Sequence, residues 1–411
     1  MNIKDYNLAA LKEKYNTPLY IFDEDLMTNI MRNYRDNFKS NQFETQVIYA
    51  SKAFNVKEMV RLVKKEGLGL DCVSLGEMYT AINVGFDPKN IYLHGNNKSI
   101  EELNYAIDNN IGYIVVDNYI ELTKLSSLLK EKNKTANILI RLNVGVSAHT
   151  HKFVVTAHID SKFGVLFNSD EFNKMINLIN NDNNITLKGF HSHIGSQIFD
   201  LEAFDAAIDK LFTYLKNYND ELELDIGGGY GIRYTDEDKP IPYDVVAKTL
   251  INYTEKKIKE TGVKIKKLMI EPGRSIVGEA GYTLYTIGGI KQTPNKKYYF
   301  IDGGMTDNIR PALYQAKYDC DVVGKYNDKK SEIVTIAGKC CESGDLIIEN
   351  SPVQNANVGD LLLVYSTGAY GYSMSNNYNK ALTPAVVFVS NGKDKLVVKR
   401  QTLDDLISRE I

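Results

Sequence analysis

Val47-Ile48-Tyr49-Ala50-Ser51-Lys52-Ala53-Phe54 sets a short apolar run against a lysine. Val47–Ala50 reads as a buried strand, Lys52 stands just past its end, and a helical pattern follows. Lysine is rarely buried without a partner. At the mouth of a strand, desolvation lowers the amine's pKa and keeps it nucleophilic, which is what a Schiff-base lysine needs. An ordinary surface lysine at the start of a helix fits the same local pattern, so the segments around it decide.

Working outward, strand-like runs end near Ala50, Val73, His94, Val116, Leu142, Phe190, Ile226 and Glu271. Helical spacing fills Val56–Glu66, Leu75–Val84, Ile100–Asn109, Ile120–Lys132, Glu171–Ile179, Leu201–Tyr218 and Tyr243–Thr261. Eight alternations over about 250 residues predict a (β/α)8 barrel. A doubly wound open sheet shows the same alternation. After Arg274 the runs become short and β-rich between Gly, Asn, Asp and Pro: Tyr282–Ile290, Lys297–Ile301, Ser331–Ala337, Leu346–Glu349, Leu361–Tyr365, Ala385–Ser390 and Leu396–Arg400. They predict a second, all-β domain, a sandwich or barrel. The expected division is 1–24 as an N-terminal strand (Leu19–Phe22) joining the β domain, 25–280 as the barrel and 281–411 as the β domain.

The 411 residues carry a formal net charge of −3, which gives no electrostatic reason to expect nucleic acid or an anionic membrane as partner. Met1-Asn2-Ile3-Lys4-Asp5 lacks a signal-peptide core and no apolar run is long enough to span a bilayer, so a cytoplasmic protein is expected. Cys72, Cys320, Cys340 and Cys341 form no C-x-x-C pair, and free thiols are expected. Adjacent Cys340 and Cys341 point opposite ways if they lie on a strand.

Working residues of a (β/α)8 barrel lie at the C-terminal ends of its strands. Lys52 follows the first run, His191-Ser192-His193-Ile194-Gly195-Ser196 the sixth, Asp225-Ile226-Gly227-Gly228-Gly229-Tyr230-Gly231 the seventh, and Glu271-Pro272-Gly273-Arg274 the eighth. The triple glycine lets backbone amides approach and cradle a phosphate; a tight turn is the plainer reading. It is not a dinucleotide fingerprint, because Ile232 stands where the last glycine belongs. Arg274 offers a donor fork for phosphate or carboxylate. Glu271 is either its ion-pair partner or a carboxylate for a cofactor ring nitrogen. His191 and His193 share one side of an extended segment and read as core, site or metal residues. With His149, His151 and His158 they match no standard metal spacing, and no metal is expected. A reactive lysine, a phosphate cup and a carboxylate for a ring nitrogen together specify pyridoxal phosphate.

With these motifs the chain resembles the fold-type III pyridoxal-phosphate-dependent decarboxylases, which share the alanine-racemase-like plan of a barrel and a β domain. The resemblance runs from Thr17-Pro18-Leu19-Tyr20 to the last strands. It includes His94-Gly95-Asn96-Asn97-Lys98, Ser161-Lys162-Phe163-Gly164, Arg310-Pro311-Ala312-Leu313-Tyr314, Cys341-Glu342-Ser343-Gly344-Asp345 and Gly368-Ala369-Tyr370. It implies that Lys52 carries the cofactor covalently and His193 stacks on its ring. It gives the phosphate and ring to Ser196, Gly229 and the segment Glu271, Pro272, Gly273, Arg274, with Glu271 on the ring nitrogen. Arg310, Tyr314 and Arg274 are implied to contact a distal substrate carboxylate, Glu342 a distal ammonium, and Tyr370 both cofactor and substrate. Cys341 is implied to be the proton donor, and Cys341 and Glu342 to reach the neighbouring site of a homodimer. One departure is Thr156-Ala157-His158, where the family usually has Thr-Gly.

The activity implied is decarboxylation of meso-2,6-diaminopimelate to L-lysine and carbon dioxide. That substrate's far end bears an ammonium and a carboxylate, which Glu342 and Arg310 match in charge. Diamine-forming decarboxylases of ornithine or lysine leave Arg310 without a role. Ornithine, arginine and carboxynorspermidine remain alternative substrates. A binding protein without turnover has no use for Lys52, Cys341 and a whole second domain. An alanine racemase needs a catalytic tyrosine and gives Arg310 and Glu342 no clear role.

Overall fold

The computed structural model describes residues 3–146, 160–216, 218 and 220–411. Among the described residues there are seventeen strands. β1 is Leu19–Asp23. The next eight are β2 (Glu44–Ala50), β3 (Gly69–Cys72), β4 (Ile91–Leu93), β5 (Tyr113–Val116), β6 (Ala136–Arg141), β7 (Ile185–His191), β8 (Leu222–Asp225) and β9 (Ile265–Ile270). Then come β10 (Gly281–Gln292), β11 (Lys297–Ile301), β12 (Cys320–Val322), β13 (Glu332–Ala337), β14 (Leu346–Val353), β15 (Leu361–Val364), β16 (Ala385–Ser390) and β17 (Lys393–Val398).

β2 to β9 form a closed parallel barrel, with β9 returning to β2. The closed ring excludes the doubly wound sheet. Strands of such a barrel are buried on both faces, and β4, Ile91-Tyr92-Leu93, is buried throughout. Ile48, Tyr92, Val115, Leu139 and Met269, from five different strands, pack as one cluster. The connecting helices start at defined caps. Ser74 accepts from the Glu77 amide, and Ser99 and Glu102 close a reciprocal capping box. These two caps fix where β3 and β4 hand over to their helices, and so where those strand ends stand.

The remaining strands make a nine-stranded mixed sheet. β1 runs antiparallel to β10 and parallel to β16. Asn391 and Gly392, both at positive φ, turn β16 tightly into β17, pairing Ser390 with Lys393. β17 therefore begins three residues before the Leu396 expected from the sequence.

By packing, the chain forms two compact units: Ile30–Gly231 with Pro240–Ser275, and Met1–Asn29 with Ile232–Lys239 and Ile276–Ile411. The segment Ile232–Lys239 sorts with the sheet because Ile232 and Tyr234 are buried in the cluster formed by Tyr285, Tyr299, Tyr318 and Ile336. Among the described residues no helix is long and apolar enough to cross a membrane.

Candidate active site

Each of the eight barrel strands delivers one ionisable residue at or just past its C-terminal end: Lys52, Asp71, His94, Asp117, Arg141, His191, Asp225 and Glu271. The parallel register aligns several directly, pairing Ala50 with Asp71, Arg141 with His191, and His191 with Asp225. The sequence reading named Lys52, His191 and Glu271 of this ring. It quoted His94 and Asp225 only within their motifs, without a role, and missed Asp71, Asp117 and Arg141, although their place at strand ends is the signal that finds them.

Lys52 lies on the short 3-10 turn Ser51–Ala53 and is exposed. This corrects the expectation of a desolvated lysine: the side chain is not buried. Its charge acts on Asp71, Glu77 and His193. Glu77 Oε2 accepts from the Val73 amide at 2.7 Å and from Ser51 Oγ at 3.0 Å. Burial pushes the Glu77 carboxyl up to about 7, with Asp71 adding to the rise.

Glu271 stands at the centre of the ring. His191 Nε2 donates to its Oε2 at 3.3 Å. His94 Nε2 approaches Oε1 at 2.8 Å, but without hydrogen-bond alignment, so Oε1 and His94 Nε2 both lack a hydrogen-bond partner in the protein. Burial pushes the Glu271 carboxyl up, and the two imidazoles override it, holding Glu271 well below the usual carboxylate range. Burial lowers His191 to about 4 against the pull of Glu271, so the imidazole is neutral and gives its one N–H to the carboxylate. Burial, then the charge of Glu271, raises Asp225 well above the ordinary value. Burial pulls Arg141 down, opposed by Asp117, Glu271, Asp71 and Asp225; its guanidinium lies 4.5 Å over the Phe163 ring. Glu271 is thus held ionised beside a neutral His191, with Asp225 pushed toward its protonated form.

Half-buried His193 follows β7, and its Nδ1 accepts from the Gly228 amide at 3.3 Å. Burial, then the charges of Lys52 and Arg141, holds it well below the usual imidazole value. The triple glycine packs on neighbouring backbone. A Cβ at Gly228 would lie 2.0 Å from the Glu271 carbonyl oxygen, and one at Gly229 2.1 Å from that of Gly195. Gly227 and Gly229 also have φ of +72° and +109°. Close approach between the β7, β8 and β9 loops therefore requires these glycines. Arg274, 7% exposed, donates to Ser196 Oγ through Nε at 3.2 Å and Nη2 at 2.8 Å. Gly273 packs on Ala50, and the Ala50 amide donates to the Pro272 carbonyl at 3.2 Å. The Glu271–Arg274 segment is thereby laid against the end of β2, two residues before Lys52.

In the sheet unit, Arg310 and Tyr314 open and close one short helix, four residues apart and so on one face. Arg310 Nη1 donates to Tyr318 Oη at 2.5 Å. Its guanidinium lies 4.8 Å from the Tyr234 ring and 5.8 Å from that of Tyr318. Tyr370 holds φ at +65° in a turn, a conformation that costs a bulky residue about 1–3 kcal/mol and clusters at functional sites. Cys340 and Cys341 lie in the loop between β13 and β14, not on a strand. Asp345 accepts the Cys340 amide at 2.8 Å and the Met305 amide at 2.6 Å, holding this loop in place. Cys340 turns inward, and burial raises its thiol to about 11. Cys341 and Glu342 are exposed. His149, His151, His158 and the Thr156-Ala157-His158 departure lie outside the described residues.

The barrel residues fit pyridoxal phosphate. Lys52 is an accessible amine. Glu271 keeps a buried oxygen without a hydrogen bond for a protonated ring nitrogen. Ser196 and Arg274 supply hydroxyl and guanidinium donors beside a glycine-lined loop. His94, His191 and Glu271 also bring three ligand atoms within 4.8 Å of one another. The His191 nitrogen facing Glu271 carries the proton it donates, so that nitrogen has no lone pair for an ion.

A family profile described as pyridoxal-dependent decarboxylase, pyridoxal binding domain, matches residues 26–278. The diaminopimelate decarboxylase of Bacillus methanolicus is 48% identical to this chain, over 98% of it and 94% of the relative. That of Bacillus subtilis (strain 168) is 45% identical, over 100% and 95%. The crystal structure of the diaminopimelate decarboxylase from M. jannaschii in complex with L-lysine matches with a TM-score of 0.92 at 36% identity, covering 99% of this chain and 94% of that one.

Proposed function

The chain belongs to the diaminopimelate decarboxylases, within the pyridoxal-dependent decarboxylases, and on that premise we propose how its residues divide the conversion of meso-2,6-diaminopimelate to L-lysine and carbon dioxide. Its cofactor is pyridoxal 5′-phosphate. Bound there, the cofactor supplies a sink for the electron pair left when carbon dioxide departs. Lys52 holds it through the amine and His193 lies against its ring. Ser196, Gly229, Pro272, Gly273 and Arg274 hold phosphate and ring, and Tyr370 contacts cofactor and substrate. Glu271, ionised between two imidazoles, keeps a proton at the ring nitrogen.

Arg310 carries the substrate assignment. It is 7% exposed, and among the described residues its guanidinium meets tyrosines and no carboxylate. A buried cation without an anion costs several kcal/mol, and a ligand carboxylate removes that cost. We assign that carboxylate to the distal end of diaminopimelate, with Tyr314 and Arg274 beside it and Glu342 on the distal ammonium. Cys341 returns the proton to the carbon that lost carbon dioxide. The exposure of Cys341 and Glu342 supports their service to a partner subunit's site in a homodimer. Work on a small biosynthetic amino acid, together with four free cysteines, favours the cytoplasm.

The test is carbon dioxide release from meso-diaminopimelate, ornithine, arginine and carboxynorspermidine by the holoenzyme. Preference for meso-diaminopimelate by at least about 10³-fold in kcat/KM is expected, since unpaired buried charges penalise the other acids. Comparable turnover of ornithine would remove Arg310 from the substrate assignment.

A further inference from the structure

We infer that Tyr318 and Tyr234 are positioning residues that fix which edge of the Arg310 guanidinium is offered to substrate. The inference rests on the reading of Arg310 as the partner of the distal carboxylate. A guanidinium has two edges able to grip a carboxylate with paired N–H donors, and a free arginine presents either by rotation. Here Nη1 is committed to Tyr318 Oη at 2.5 Å. Nε and Nη2 have no hydrogen bond to any described residue, so the Nε–Nη2 edge keeps its full set of donors for a carboxylate, whereas Nη1 has spent one of its two N–H groups and is tethered to the Tyr318 ring. Tyr234 lies under the guanidinium at 4.8 Å, a cation–π contact that holds the plane flat. The two tyrosines brace each other edge to face, centroids 5.4 Å apart at 90°. Tyr318 is buried, 2% exposed, and Tyr234 nearly so at 8%, so both hold their rings fixed by packing.

The two rings reach this place from different parts of the chain. Tyr318 follows the Arg310 helix directly. Tyr234 follows the triple-glycine loop by five residues in sequence yet is buried in the core of the sheet unit. This gives the burial of Tyr234 among sheet residues a purpose: it carries the aromatic face for Arg310.

L-lysine and 1,5-diaminopentane differ only by the carboxylate that Arg310 would grip, so their inhibition constants against the holoenzyme read this device separately from general damage. Tyr318→Phe keeps the ring and removes the acceptor. It is expected to weaken L-lysine about tenfold, the size of one hydrogen bond to a charged group, and to leave 1,5-diaminopentane within about twofold. KM for meso-diaminopimelate should rise more than kcat falls. Tyr234→Leu should show the same selectivity, and Tyr234→Phe, which keeps the ring face, should restore it. Equal weakening of both inhibitors, or of neither, by Tyr318→Phe overturns the proposal. Arg310→Ala separates the two levels. If it weakens L-lysine selectively while Tyr318→Phe does not, the tyrosines do not position the arginine. If Arg310→Ala itself shows no selectivity, the carboxylate reading falls and the positioning role with it.

Discussion

His191 Nε2 donates to Glu271 Oε2 at 3.3 Å, inside a barrel mouth where burial keeps the histidine neutral and the glutamate stays ionised. The proton on His191 therefore serves to hold a negative charge in place. Glu271→Gln keeps the shape and removes the charge, which under the proposed role of Glu271 leaves no strong base for the cofactor's ring nitrogen. It should lower kcat for carbon dioxide release by about 10²-fold or more, with the cofactor still bound in its absorbance spectrum. A kcat within threefold of wild type would mean the charge is structural.

Gly228 tests how closely the strand-end loops must approach. Its added Cβ would meet the Glu271 carbonyl oxygen at 2.0 Å, so Gly228→Ala must part the β8 and β9 loops. A loss of about 1–3 kcal/mol in unfolding free energy is expected, with cofactor dissociating more readily. Gly76 offers the contrast: it lies in a helix with its nearest atom at 3.9 Å. Gly76→Ala should raise stability by about 0.5–1 kcal/mol. Denaturant titration of both variants measures the pair, and a neutral Gly228→Ala contradicts the packing argument.

Glu77 makes a pH-dependent contribution whose sign is fixed by its raised carboxyl, at about 7 against 4.5 for an ordinary glutamate. Between those values the folded state binds the extra proton. The stabilisation is present below about 4.5 and is lost as pH rises through about 7. Glu77→Gln cannot ionise, so its melting temperature relative to wild type should climb between pH 5 and pH 8 and then level. A constant offset over that range would show that Glu77 titrates normally.

Much of this was readable from residues alone, for identifiable reasons. The barrel was legible because strand runs and helical spacing alternate, and their ends are marked by residues that a buried strand does not otherwise hold, such as Lys52 and Glu271. Cys320–Val322 was missed because three residues show no periodicity, and Leu8–Tyr15 because its apolar face is two leucines and its cap, Asn7, lies outside any strong pattern. The start of β17 was misplaced because the Asn391-Gly392 turn was passed over. Asp71 drew no notice and Asp225 was quoted only as the start of its glycine segment, since only closure of the barrel brings the two beside Glu271. The exposure of Lys52 and the seating of Arg310 between Tyr234 and Tyr318 depend on packing between distant segments, which local sequence does not encode.

The exposed Cys341 loop bears on assembly. If each site takes Lys52 from one subunit and Cys341 from its partner, Lys52→Ala and Cys341→Ala should each be nearly inactive and should complement when mixed. Random exchange at equal amounts leaves about a quarter of all sites intact in a symmetric dimer. Lysine production recovering toward that fraction is expected. No recovery, with exchange shown independently, would mean that each subunit completes its own site.

The central claim is that Lys52 is the residue that holds the cofactor. Borohydride reduction of the pyridoxal-phosphate-loaded enzyme, followed by peptide mass mapping, reads that residue directly. The account predicts a stable pyridoxyl-phosphate adduct on Lys52, in stoichiometric amount, and none in the Lys52→Ala variant. An adduct on another lysine, with Lys52 recovered unmodified, would contradict it.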